Sequence, residues 1–120
     1  MTTAAEIREK TIDRRLADGE LLIADGAMGT ELYARGVAFS RCFEEVNLSE
    51  PTLVQQIHRD YLGAGAEVLE TNTFGANRYV LSKFGLEDKV AAINIAGVEI
   101  SRKAAGSKAS PTSLLSDRRW

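Results

Sequence analysis

Apolar residues in this chain fall into two patterns. Leu21, Leu22, Ile23 and Ala24 run without alternation and break at Asp25, which predicts a parallel strand covered on both faces. Ala66 to Thr71, with Val68 and Leu69 at its centre, predicts a second strand of the same kind. Between them Leu53, Val54, Ile57, Tyr61 and Ala64 recur at helical spacing, a stripe one face of a helix would bury. Ser49-Glu50-Pro51 suits the start of that helix: serine can cap, glutamate favours the positive end of the dipole, and proline is tolerated in the first turn. Gly63 and Gly65 end it. A strand, a helix and a strand in this order form a βαβ unit, so the two strands are expected side by side and parallel.

The flanks read as further helices. Ala4 to Ala17 predicts a charged helix with sparse apolar positions at Ile7, Thr11 and Leu16, closed by Asp18-Gly19. Thr30 to Ala34 predicts a short helix stopping at Gly36, and Val37 to Leu48 has no clean period. Asn77 to Lys83 predicts another short helix closed by Gly85. Leu86 to Ala105 predicts a longer one, with Val90, Ile93, Gly97, Ile100 and Ala104 on its core face. From Ser107 the chain turns serine-rich and basic, so residues 1–106 are expected to form the ordered part and 107–120 a disordered tail.

Candidate chemistry gathers where the strands end. After Asp25 the small residues Gly26, Ala27, Met28 and Gly29 leave backbone N–H groups and a carboxylate at the carboxyl edge of the first strand, the edge where parallel α/β folds bind ligands. The second strand ends in Glu70-Thr71-Asn72-Thr73-Phe74-Gly75, polar at the same edge. Two polar strand ends on one rim favour a site. The competing reading is that Asp25-Gly26 is only a turn. A phosphate loop is disfavoured, since there is no G-x-G-x-x-G and no Lys-Ser/Thr after the second glycine. His58 lies beside a helical stripe without a second ligand at i+4, which fits packing or surface rather than metal. Cys42 reads as a small buried apolar residue.

Composition narrows the classes. With 120 residues and a net charge of −2, the chain is long enough for one small domain and has no general pull toward nucleic acid or an anionic membrane. A single cysteine excludes an internal disulfide and a multi-thiolate metal site made by this chain alone. A reducing, cytoplasmic setting is expected. No apolar run reaches membrane-spanning length.

The stretches DGAMGTEL, Asp25 to Leu32, and ETNTFGAN, Glu70 to Asn77, resemble the homocysteine S-methyltransferase family. The intervening RCFEEVNLSEP, Arg41 to Pro51, is most similar to bacterial members fused to a methylenetetrahydrofolate reductase. The resemblance covers about Glu20 to Gly106 and implies an α/β fold, the N-terminal part of a (β/α)8 TIM barrel with about its first two parallel strands. It implies a zinc-dependent methyltransferase that moves a methyl group to the thiolate of homocysteine, giving methionine. It further implies a folate methyl donor and a fused reductase domain in a full-length protein. Carried over residue by residue, Asp25 matches the acidic residue that contacts the substrate amino group. Gly26, Ala27 and Met28 match the loop around the amino-acid end of homocysteine, and Thr71, Asn72 and Thr73 match the rim of that pocket.

The sequence also departs from the family. A (β/α)8 barrel needs roughly 250 residues, the family's three zinc-binding cysteines belong to later strands, and Cys42 matches none of them. Past Gly106 the family pattern stops, as a frameshift or a wrongly placed gene end would cause. Methyl transfer by these residues alone is therefore not expected, and no catalytic or metal residue is assigned within them. Two other readings stand beside the enzyme fragment: a non-catalytic small-molecule binding module built on Asp25 and the Gly26 to Gly29 turn, and an inert fragment.

Overall fold

The computed structural model describes residues 11–106. The part of the expected Ala4 to Ala17 helix before Thr11 and the expected tail from Ser107 lie outside them. Along the described chain run α1 (Ile12–Ala17), α2 (Gly29–Ala34), α3 (Val46–Ser49), α4 (Pro51–Gly63), α5 (Arg78–Ser82), a 3-10 turn (Glu87–Lys89) and α6 (Val90–Ala105). No helix among these residues is long and apolar enough to cross a membrane.

The helices follow the sequence pattern with local differences. Thr11 stands outside α1 as its cap, its side chain accepting from the Arg14 amide at 3.2 Å. Ser49 does not cap α4. It ends α3, and Glu50 precedes Pro51 without a side-chain cap bond, its carboxylate held instead by Arg41 at 2.9 Å. The aperiodic stretch before α4 gains order through α3, which buries Val46 and Asn47. The long C-terminal helix begins at Val90, after the 3-10 turn, rather than at Leu86. At the other end of α4, Gly65 adopts a φ of 112°, a conformation only glycine takes without strain, and turns the chain into the second extended segment.

The apolar faces of α4 and α6 close on each other and on α3. Leu32, Val37, Val46, Val54, Ile57 and Ile100 form one buried cluster, with Met28, Phe43, Leu53 and Tyr61 packed against it. A second holds Cys42, Ala76, Leu81 and Ile93. His58 is fully buried at this interface, the packing alternative of the two expected, and its Nε2 lies 3.1 Å from the Ser101 hydroxyl. Ser101 in turn donates to the Gly97 carbonyl at 3.1 Å, so the single hydroxyl proton is used and the histidine is the donor in their contact.

The strand expectation is corrected in extent. The two segments do lie parallel and adjacent, but they share one bridge, Ala24 with Val68, and no longer strand forms among the described residues. The Ile23 carbonyl accepts from Glu67 and Val68, and the Asp25 amide donates to the Val68 carbonyl at 2.9 Å. Leu21 is 87% exposed and Ile23 55%, the reverse of strands covered on both faces. A sheet position of this type is stabilised by neighbours on both sides and by helices on both faces, and here each segment has one neighbour. Arg15 fastens the start of the pair, binding Glu20 at 3.2 Å and Glu67 through a second short contact.

Candidate functional site

Both polar strand ends arrive at one edge. The Asp25 carboxylate accepts the Glu70 amide at 3.1 Å through Oδ2, which ties the end of the first segment to the residue just before Thr71. Its other oxygen, Oδ1, is buried and has no hydrogen-bond partner. Burial pushes the carboxyl up to about 6, the Glu70 amide opposing that push and the Glu70 charge adding to it. A half-buried carboxylate with an unsatisfied oxygen is a group whose ionised form a cationic ligand would restore.

The loop after it is shaped from below by Tyr61 of α4, whose hydroxyl donates to the Ala27 carbonyl at 2.7 Å. The phenol also explains Gly26: a Cβ there would stand 3.0 Å from the hydroxyl oxygen and 3.1 Å from a ring carbon. Gly29 meets the Phe43 ring in the same way, at 3.2 Å. Gly26 and Ala27 are exposed while Met28 is half-buried against the core, so the loop presents backbone outward and anchors itself through one side chain.

The second rim is more enclosed. Thr71 is half-buried, whereas Asn72 and Thr73 are buried, 6% and 7% exposed. The two threonine hydroxyls lie 2.6 Å apart and share a hydrogen bond. The Asn72 amide donates to the Phe43 carbonyl at 2.9 Å and to Asn47 Oδ1 at 3.0 Å. Below Thr73, Glu44 accepts the Gly75 amide at 2.9 Å and the Cys42 thiol at 3.6 Å. Tyr61, Asn47 and Glu44 were not singled out by sequence as site residues. Tyr61 was legible only as part of an apolar stripe, and the other two sit in the stretch without a period.

Among the described residues no group of three or more His, Cys, Asp or Glu is placed to hold a metal. Cys42 is buried, and burial pushes its thiol up, away from the thiolate form that coordination requires. The residues present do not make a zinc thiolate site.

The sequence profile of the homocysteine S-methyltransferase family matches residues 22–116, ten residues past Gly106, where the family pattern was expected to stop. This chain belongs to that family. It is 34% identical over 113 residues to a methionine synthase of Mycobacterium tuberculosis (strain ATCC 25618 / H37Rv), an alignment covering 82% of the chain and 10% of that protein. A methionine synthase of Mycobacterium leprae (strain TN) is 34% identical over 97 residues, covering 76% of the chain and 8% of the relative. The chain thus spans about a tenth of the length of the curated relatives it matches. Among solved structures it is similar to the metallated form of the homocysteine methyltransferase MmuM from Escherichia coli, with a TM-score of 0.68 and 31% identity over 88% of this chain and 36% of that one.

Proposed function

We propose that these residues are the homocysteine-binding rim of a homocysteine S-methyltransferase domain, the first two βα units of its (β/α)8 barrel. The observation that carries this reading is the Asp25 carboxylate: held by the Glu70 amide, half-buried, and left with one oxygen unsatisfied. The ammonium of an amino acid is the cation of matching size, and a charge-assisted hydrogen bond to this half-buried carboxylate would stabilise its ionised form. The exposed backbone of Gly26 and Ala27 would pass along the amino-acid end, with Met28 holding the loop to the core. Thr71, Asn72 and Thr73 would wall the opposite side. The match to the family's functional motifs and the likeness to a homocysteine methyltransferase support the choice of homocysteine over other amino acids.

The chemistry divides accordingly. Methyl transfer needs the homocysteine sulfur as a thiolate, and in the family zinc supplies that activation. No set of residues described here would hold the metal. The chain therefore binds and orients the amino-acid end of homocysteine and does not by itself transfer a methyl group; a folate donor and a fused reductase domain belong to the wider reading of a full-length protein. Isothermal titration of L-homocysteine into the 120-residue chain at pH 7.5 tests it. Saturable uptake without methionine formation is expected, whereas heat no greater than the dilution blank would favour the inert-fragment reading.

A further inference from the structure

We infer that Asn47 and Gly97 are positioning residues that set the Thr71–Thr73 rim from behind, and that Asn72 serves the site by fixing the backbone rather than by offering its amide to a ligand. Asn47, 2% exposed, reaches from α3 and uses both amide protons: one goes to the Asn72 carbonyl at 2.8 Å and one to the Ile93 carbonyl of α6 at 3.2 Å. Its oxygen accepts the Asn72 side-chain amide at 3.0 Å, whose other proton goes to the Phe43 carbonyl at 2.9 Å. Every amide proton of the pair faces a carbonyl oxygen. Flipping either side chain would set oxygen against oxygen, so the orientation of both is fixed by their partners. Asn72 is left with no side-chain amide proton for a ligand, and its backbone carbonyl is held by Asn47 of α3.

Gly97 supplies the space. It lies in the middle of α6, where glycine is costly relative to alanine. A Cβ at this position would stand 2.8 Å from Thr73 Cγ2 and 2.9 Å from Asn47 Nδ2. Those are the two groups that define the back of the rim. The missing side chain therefore lets α6 approach until Asn47 can span from the Ile93 carbonyl to the Asn72 carbonyl, and Thr73 can meet Thr71 through its hydroxyl at 2.6 Å.

The inference rests on the reading of this rim as part of the homocysteine site, and hydrogen exchange followed by mass spectrometry on the full chain separates the two. Gly97→Ala improves the intrinsic helix propensity of α6, so its expected effect is confined to the rim. Amide exchange over residues 72–76 should quicken ~10-fold while exchange in α4 stays as in the wild type. The dissociation constant for L-homocysteine should rise ~5-fold or more. Adding Thr73→Ser, which deletes the methyl that the new Cβ would strike and keeps the hydroxyl, should return both values part of the way to wild type, since the 2.9 Å approach to Asn47 Nδ2 remains. Asn47→Asp, which turns oxygen toward the two carbonyls, should give the same local quickening. Wild-type exchange in both single variants, or quickening spread over α4 and α6 without rescue, would overturn the inference. If the wild-type chain takes up no homocysteine yet the local response and its rescue persist, the rim coupling stands and the substrate reading fails.

Discussion

The α4–α6 interface and the Asp25–Glu70 rim are built from the same kind of residue and end in opposite states. Ile57 and Ile100 are buried between helices in one cluster, whereas Leu21 and Ile23, equally apolar, face outward beside a single bridge. A helix satisfies its own backbone and needs only one partner for its stripe, so α3, α4 and α6 close on one another within residues 46–105. A strand satisfies its backbone only through neighbours. The helices of this chain are thus locally sufficient, while the strand pair carries the polar ends of the proposed site on a base with two open edges.

The contrast is broken most directly in the core. Ile57→Ala should cost about 2–5 kcal/mol, since it removes fully buried methyl groups. Urea unfolding followed by circular dichroism measures this, and a cost below about 1 kcal/mol would mean that the helix interface is not closed in solution. Asp25→Asn comes next and acts on binding: losing a charge-assisted hydrogen bond of roughly 1.5–3 kcal/mol should raise the homocysteine dissociation constant by about ten-fold or more. The same variant should leave the chain at least as stable at neutral pH, because it removes a half-buried charge.

The two regions also respond to acid with opposite sign. Burial alone lowers His58 from 6.5 to about 4, so the unfolded chain takes up a proton that the folded one refuses; its contribution is whole above pH 6.5 and is lost as pH falls toward 4. Asp25 is raised from 3.8 to about 6, so its burial opposes folding above pH 6 and that opposition fades as pH falls toward 4. His58→Leu should flatten the loss of stability between pH 6.5 and 4, and Asp25→Asn should steepen it. Thermal melts across that range distinguish them, and parallel profiles for the two variants would show that one group is not buried as described.

Smaller effects sharpen the comparison. Tyr61→Phe should cost about 0.5–1.5 kcal/mol through the bond to the Ala27 carbonyl, with most of the change felt in the 26–29 loop. Leu21→Lys should change stability by less than about 0.5 kcal/mol, since the side chain is exposed, yet should reduce self-association through the open edge. Sedimentation velocity of the wild type and the variant would show it, and equal behaviour would mean that the edge is not a contact surface.

The helices and the order of elements were legible because their signals are local. The stripe of Leu53, Val54, Ile57 and Tyr61 announces α4, and the polar break at Asp25 announces the end of the first segment. The parallel pairing was legible as well, through the βαβ order. The extent of the strands was not, since a contiguous apolar run states what the residues require and not whether neighbours are present. In the site, Asp25 stood out as a charge at the end of an apolar run. The Asn47–Asn72 pair did not, because their contact joins residues 25 positions apart and neither lies in a periodic pattern. Gly97 carried a faint signal: glycine at a core position inside a helix marks a close approach, although the sequence does not say to what.

The central claim is that Asp25 pairs with the ammonium of homocysteine, and a four-way titration tests it most directly. L-homocysteine and 4-sulfanylbutanoate, which lacks the amino group, are each titrated at pH 7.5 into the wild-type chain and into Asp25→Asn. The wild type should prefer homocysteine by about ten-fold, and the variant should bind the two with nearly equal, weak affinity. A preference for homocysteine that survives in Asp25→Asn would contradict the pairing and leave Asp25 as a turn residue.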